Sequence, residues 1–546
     1  MTHTLGTLSI GAYTLTIDRG SNDTSAGGIT FSSTSTLTGN ATITTTSSGV
    51  LTTLTGAITG TGYSLTIDGS GDTTFSAGLN TSTNGTLTKN GTGTLTLSAA
   101  GSYTGATTVN AGIVDVKNNT ALGTSAGATT VASNAAVQID GSGLSIAEPF
   151  TLTGTGVSTA GAIRNLANNN TLSGLITLST SAVRINSDSG TLTLDVSSGN
   201  AITATNINIT FGGSGNITVA DPIATGSGTL TKDGSGSLTL SGANTYSGGT
   251  TLSAGTLYIG VNTVYSSGIT SSAIGTGTLT LGSATISSSA NTTGGDRTIY
   301  NAVAFSSSPT TTIFGDGTYT GILNFQTGGF DLGSSAARTF TINTTTNIAN
   351  TITGTSSSIT KDGTGTLTLS GANTYTGGTT ISNGVVKAGI SSTGSITNGA
   401  FGTGSVTVSS GGAIDLNTFT VANALSLSGT GYSSSGALYN SHASTGATAS
   451  GNITLAADTT IKNSGSGTLV LSGTINGAQA LTITNTGSVT LSGIVGGSTS
   501  LTSLSISGPS TLGANVTTSG TQTYTGAVTL SGGDRTLTGS TITNSS

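Results

Sequence analysis

The stretch Gly228 to Ile259 reads GTLTKDGSGSLTLSGANTYSGGTTLSAGTLYI. Its centre, Gly236 to Ser241 (GSLTLS), alternates Leu with Ser or Thr between glycines, the pattern of a short strand with one buried face. Gly93 to Ser98 and Gly365 to Ser370, both GTLTLS, repeat it. Thr is β-branched and suits the solvent side of a pleated surface, so Leu is expected to turn in and Thr to turn out. Asp-Gly, Asn-Gly and Gly-Gly pairs punctuate the strands about every eight to twelve residues, where the chain needs positive φ.

The same stretch recurs without gaps. Gly85 to Val116 reads GTLTKNGTGTLTLSAAGSYTGATTVNAGIVDV, and Ser357 to Ala388 reads SSITKDGTGTLTLSGANTYTGGTTISNGVVKA. Lys precedes Tyr by 14 residues in each copy (Lys89 and Tyr103, Lys232 and Tyr246, Lys361 and Tyr375), and a Gly follows the Tyr by nine (Gly112, Gly255, Gly384). A decayed copy over 459–473 keeps Lys462 and loses its Tyr, while half-copies over 315–325 and 519–542 keep Tyr319 and Tyr524. Such repetition is the mark of a solenoid or an array of domains.

Composition narrows the classes. The 546 residues include 12 Lys plus Arg and 18 Asp plus Glu, 5% charged, against roughly a quarter in ordinary soluble domains. The absence of Cys removes disulfide scaffolds and thiolate zinc sites, and a net charge of −6 with pI near 4.6 argues against nucleic acid as a partner. Glu148 is the one Glu and there are six Lys, so the residues that fill exposed helix faces are scarce. Mean hydropathy of +0.17 with 33% hydrophobic residues favours a folded chain over a disordered one.

Nothing in composition marks a domain boundary, so one continuous solenoid over 1–546 is expected. The first ten residues do not form a secretory signal, and no apolar run is long enough for a membrane helix. The end of the chain lacks the strands of a translocator barrel, and the whole reads as an excised segment.

The pattern Gly-x-Leu-Thr-Lys-x-Gly-x-Gly-Thr-Leu-Thr-Leu-Ser-Gly followed by Asn-Thr-Tyr-Thr-Gly-Gly-Thr-Thr resembles the autotransporter-associated β-strand repeat, also called the passenger-associated transport repeat. Clear copies cover under a fifth of the chain. The resemblance implies an exported passenger of a Gram-negative bacterium, extracellular or on the cell surface, with a right-handed parallel β-helix fold and an outer-membrane translocator as partner. Passengers carrying it include adhesins and autoaggregation proteins, so the motif specifies no ligand; surface glycans or matrix components are the partners expected on an adhesive reading.

The residues reach an all-β, parallel β-helix by their own route: short, evenly spaced strands, Gly-rich turns, small aliphatic core residues and no crossover helices. Coils of roughly 20 to 25 residues stacked at about 4.8 Å give an elongated rod. Tandem β-sandwiches compete, because Lys89, Lys232, Lys361 and Lys462 are spaced 143, 129 and 101 residues apart. A 32-residue match is too short for a sandwich, and no buried Trp or Cys pair is available.

The candidate residues are those of the repeats. Lys89, Lys232, Lys361 and Lys462 are expected to cover a turn and pair with a carboxylate on the adjoining coil, with an anionic polysaccharide anchor as the alternative. Tyr103, Tyr246, Tyr319, Tyr375 and Tyr524 are expected to pack over a corner beside a Gly turn, with an exposed ladder for weak glycan contact as the alternative. Arg297, Arg338 and Arg535 precede Thr and look like residues that open strands. Exposed edges at the ends of a solenoid would favour end-to-end self-association.

Catalysis and cofactor binding find little material. The two His, His3 and His442, cannot form a zinc site together. His442 lies in a Ser/Ala/Thr-rich loop without a carboxylate nearby in sequence, so a serine-histidine mechanism is not expected. Asp18 to Asp23 and Asp68 to Asp72 match no calcium loop, and no metal is expected. The reading is a non-enzymatic, extracellular stalk or adhesin-type segment. Its first alternative is a spacer that assists secretion, and its second a polysaccharide-degrading β-helix.

Overall fold

The computed structural model describes residues 2–20, 26–306 and 311–545. The chain divides into two compact units, Met1–Thr278 and Leu279–Ser546. Each is a parallel β-solenoid, and among the described residues the strand ladders are parallel apart from one small hairpin, Val264–Tyr265 with Ile269–Ser271.

In the first unit each coil visits three faces. Asp72–Phe75 lies on the first, Leu79–Asn80 on the second and Leu87–Lys89 on the third; Thr94–Leu97 then stacks back on Asp72–Phe75, with Thr73 opposite Leu95. Coil length varies: 19 residues separate Leu238 from Leu257, and 28 separate Thr14 from Thr42. The sequence pattern sets the sidedness. In Thr94–Leu97, Leu95 and Leu97 are buried while Thr94 and Thr96 stay partly exposed, and parallel stacking lays each inward residue on its like in the next coil. Val114, Val137, Ile163 and Ile185 form one such buried column.

Two features of the second unit depart from this plan. Strand Thr379–Ala388 bends through a corner, so that its first part pairs with Ser358–Asp362 and its second with Thr366–Leu369. Phe314, Phe325, Phe330 and Phe340 share the interior with ring centroids 5.4 to 6.0 Å apart, mostly edge to face. Arg297 and Arg338, expected at the openings of strands, lie there and are buried; Arg338 gives two hydrogen bonds to the Leu332 carbonyl and covers the Phe305 ring at 5.1 Å. Helix among the described residues is confined to Thr292–Gly295 and two 3-10 turns.

Candidate functional site

The three clear repeats build one arrangement three times. The Lys ends or nearly ends its strand with the side chain inward, at a position where alternation would place an aliphatic residue. Lys232 Nζ donates to Asp233 O at 2.7 Å and Gly234 O at 2.9 Å within its own turn, and to Ala254 O at 3.2 Å in the next coil. Lys361 Nζ reaches Gly363 O at 2.7 Å and Asn383 O at 2.8 Å, and Lys89 Nζ reaches Gly91 O and, at 3.3 Å, Ala111 O. The expected carboxylate partner is therefore replaced by backbone carbonyls. The amine neutralises two successive turns that strand geometry leaves without donors.

Burial of these amines is nearly complete, at 0 to 2% exposure. Desolvation pulls each down from the usual lysine range to about 8, with nearby Asp residues opposing the shift: Asp68 and Asp72 for Lys89, Asp233 for Lys232, Asp362 for Lys361. The glycine nine residues after each Tyr makes the room. Gly112, Gly255 and Gly384 have φ of +69°, +72° and +71°, and a Cβ there would stand 2.8, 2.7 and 2.6 Å from the Lys Nζ.

The Tyr of each copy forms a second internal clamp. Tyr103, Tyr246 and Tyr375 are fully buried, and their hydroxyls lie 2.6 Å from Thr107, Thr250 and Thr379 Oγ1. Burial raises each phenol above its ordinary range. The Thr in turn donates to a carbonyl one coil on: Leu122 O at 3.3 Å, Ile274 O at 2.9 Å and Phe401 O at 3.4 Å. No ring of this set faces solvent, where a sugar would stack.

Two parts of the arrangement escaped the sequence reading. Asn244 in the second copy accepts from Ile223 N at 2.7 Å and donates to Ala273 O, and Asn373 in the third accepts from Ile352 N at 2.8 Å and donates to Ala400 O, each stapling three successive coils. The first copy has Gly101 at this position. The other part is a lid one coil further on: Ala121-Leu-Gly-Thr124, Ala273-Ile-Gly-Thr276 and Ala400-Phe-Gly-Thr403. Its Gly (Gly123, Gly275, Gly402) has positive φ and no room for a Cβ against the Tyr ring, and its Thr N–H bonds the Tyr carbonyl at 2.8 to 3.0 Å. Asn-Thr-Tyr and Tyr-x-Gly-x-Thr were visible signals. The lid was not, because 20, 29 and 27 residues separate it from the Tyr.

The remaining candidates lie elsewhere. Lys462 does not occupy the inward slot: it is partly exposed, and the next residue, Asn463, points inward and donates to Gly467 O at 2.7 Å and Ser488 O at 3.1 Å. Asn463 stands between Asn440 and Asn485 in a buried ladder that serves successive turns as Lys does elsewhere. Tyr319 lies partly exposed in a loop, and Tyr524 is buried in a strand with its hydroxyl on Gln522 Oε1 at 3.0 Å. His442 Nδ1 accepts from Thr445 N at 3.0 Å, closing its own loop; Asp415 instead holds Ser441 Oγ at 2.7 Å. Asp68 and Asp72 bond backbone N–H groups, Asp23 lies outside the described residues, and no group of three metal-ligating side chains occurs among the described residues.

In the three clear repeats the Lys and the Tyr turn inward, so the solenoid is held there by internal clamps. A family model described as passenger-associated-transport-repeat matches residues 87–116, 230–259 and 359–388. The chain thus carries three repeats of the autotransporter-passenger kind, which implies a surface or secreted protein. Searches of curated proteins and of solved structures returned no match.

Proposed function

We propose that this chain is a mechanical segment of an exported passenger, a stalk that carries contact surfaces away from the cell, with the three repeats as its internal rivets. The observation that carries the reading is the burial of Lys89, Lys232 and Lys361 with Tyr103, Tyr246 and Tyr375: residues at 0 to 2% exposure serve the scaffold. Adhesion on this reading belongs to the outward faces, rich in hydroxyls and poor in charge, through many weak contacts. A second reading, support of secretion, is favoured by the nature of the clamps, which join each coil to the next and so reward stepwise stacking outside the membrane.

The test uses the exported parent chain on a Gram-negative host, with residues 357–388 deleted or with Lys361→Met and Tyr375→Phe combined. Intact display with reduced adhesion per displayed molecule supports the stalk; lost display with adhesion per molecule unchanged supports the secretion reading and overturns the first.

A further inference from the structure

The geometry points to a neutral-saccharide site on the third face of the first unit, centred on Thr203. Two concavities, of about 410 and 370 Å³, open on either side of this residue. The first lies beyond the ends of strands Ile176–Leu178 and Ile202–Thr203 and is walled by Thr177, Ser179, Thr203 and Thr205. The second lies before their beginnings and is walled by Ser173, Ser197, Ser198 and Asn200, with the 41% exposed Leu175 as its apolar floor.

The chain builds the second cleft by local lengthening. Segment 195–201 joins Thr191–Leu194 to Ile202–Thr203, whereas three residues make the same connection in the coils before and after, 173–175 and 220–222. The extra residues overhang the face, held by Asp221 Oδ2, which accepts from Val196 N at 2.7 Å. On the rim of the first cleft Thr180 adopts φ of +57°, a conformation costly for a β-branched residue.

The lining selects the ligand class. It holds no Arg or Lys to fix an anion, and the carboxylate that borders the second cleft, Asp221, accepts from Val196 N. It is too rich in hydroxyl groups to suit an apolar ligand. A ligand with hydroxyls on its edges and C–H groups on its faces meets both the Ser and Thr walls and Leu175: a neutral saccharide.

The clefts also terminate an outward threonine column that runs unbroken for nine coils, from Thr14 through Thr42, Thr66, Thr88, Thr108, Thr130, Thr151 and Thr177 to Thr203. It extends about 38 Å at the usual spacing between strands. Outward Thr is not simply the default of this fold, for on the first face the column Thr30, Thr53, Thr74 and Thr96 gives way to Asp115, Gln138 and Arg164. A polymer seated in the clefts has a track of hydroxyls along which to continue, with Asp68 beside Thr66 on the same face.

The inference deepens the stalk reading, and its test is independent of display. Saturation-transfer NMR on the whole purified chain is recorded with neutral hexasaccharides (cello-, malto- and laminari-series) and with an acidic alginate hexamer. Transfer to at least one neutral hexamer that survives about 1 M salt, is lost in Thr203→Arg and persists in the control Thr239→Arg on another sheet is the expected result. Ser179→Arg and Ser198→Arg, at exposed or half-exposed positions, block one cleft each and stand in if Thr203→Arg disturbs folding. No transfer to any neutral hexamer, equal transfer to alginate, or transfer unchanged by the cleft variants overturns the proposal.

Discussion

Lys361 Nζ lies 2.8 Å from the carbonyl oxygen of Asn383, a residue 22 positions and one coil further on. A single buried amine therefore ties two turns together. Its removal leaves buried acceptors with no donor, and an orphaned buried polar group costs about 1–3 kcal/mol. For Lys232→Met, which frees the carbonyls of Asp233, Gly234 and Ala254, destabilisation of that order is expected in denaturant titration, with hydrogen exchange rising first at amides of segments 233–236 and 253–256. Unchanged exchange in both segments argues against the clamp.

Alkaline stability follows from the same amines. Unfolded, they hold their protons up to about 10.5; folded, up to about 8. Between these values the unfolded state binds more protons, so stability rises with pH through that window. The buried phenols act in the opposite sense, because the folded state keeps protons that the unfolded state loses from about 10 upward. Thermal scans from neutral pH upward should pass through a maximum near pH 10, and Lys-to-Met variants should flatten its rising limb.

Glu148 supplies the acid-side counterpart. Desolvation raises this buried carboxyl to about 7 against an ordinary 4.5, while its Oε1 accepts from Thr129 Oγ1 at 2.8 Å. The folded state binds the extra proton between those values, so its contribution to stability falls as pH rises from 4.5 to 7. Glu148→Gln should remove that part of the slope, which denaturant midpoints across the window measure.

The tyrosine clamp separates hydrogen bond from packing. Tyr246→Phe deletes only the bond to Thr250 and is expected to cost about 1 kcal/mol. Tyr246→Ala opens a cavity in a fully buried site and should cost about 3–5 kcal/mol. Gly275→Ala combines φ of +70° with a Cβ 2.6 Å from ring atoms, and should approach the Ala variant more closely than the Phe variant. Equal midpoints for the Phe and Ala variants contradict the burial described.

Much of the fold was legible because it rests on a period of two. Leu95, Leu238 and Leu367 announce their buried side by alternation with Thr, and parallel stacking needs nothing more than like residues at coil spacing. The roles of Lys232 and Tyr246 were harder to read, since sequence alone ranks a lysine as exposed and leaves a tyrosine open to either side. What reverses the lysine is a three-dimensional count of carbonyls at two successive turns. The Ala-x-Gly-Thr lid was hidden by insertions of unequal length, 117–120, 260–272 and 389–399, placed at equivalent points of the three copies. The clefts at Thr203 have no motif, only a connection longer than its neighbours.

In the first unit, the segment carrying Tyr103 follows Leu79 on the second face, whereas the segment carrying Tyr246 follows Ile223 on the third. The interval between the two copies is therefore not a whole number of coils, and their fastenings sit at different compass bearings about the stack. Peeling that starts along one edge meets a fastening there and leaves the other untouched. Segments 117–120 and 260–272, inserted at matching points of those copies, likewise leave the stack from different sides, so lengthening one need not crowd the other.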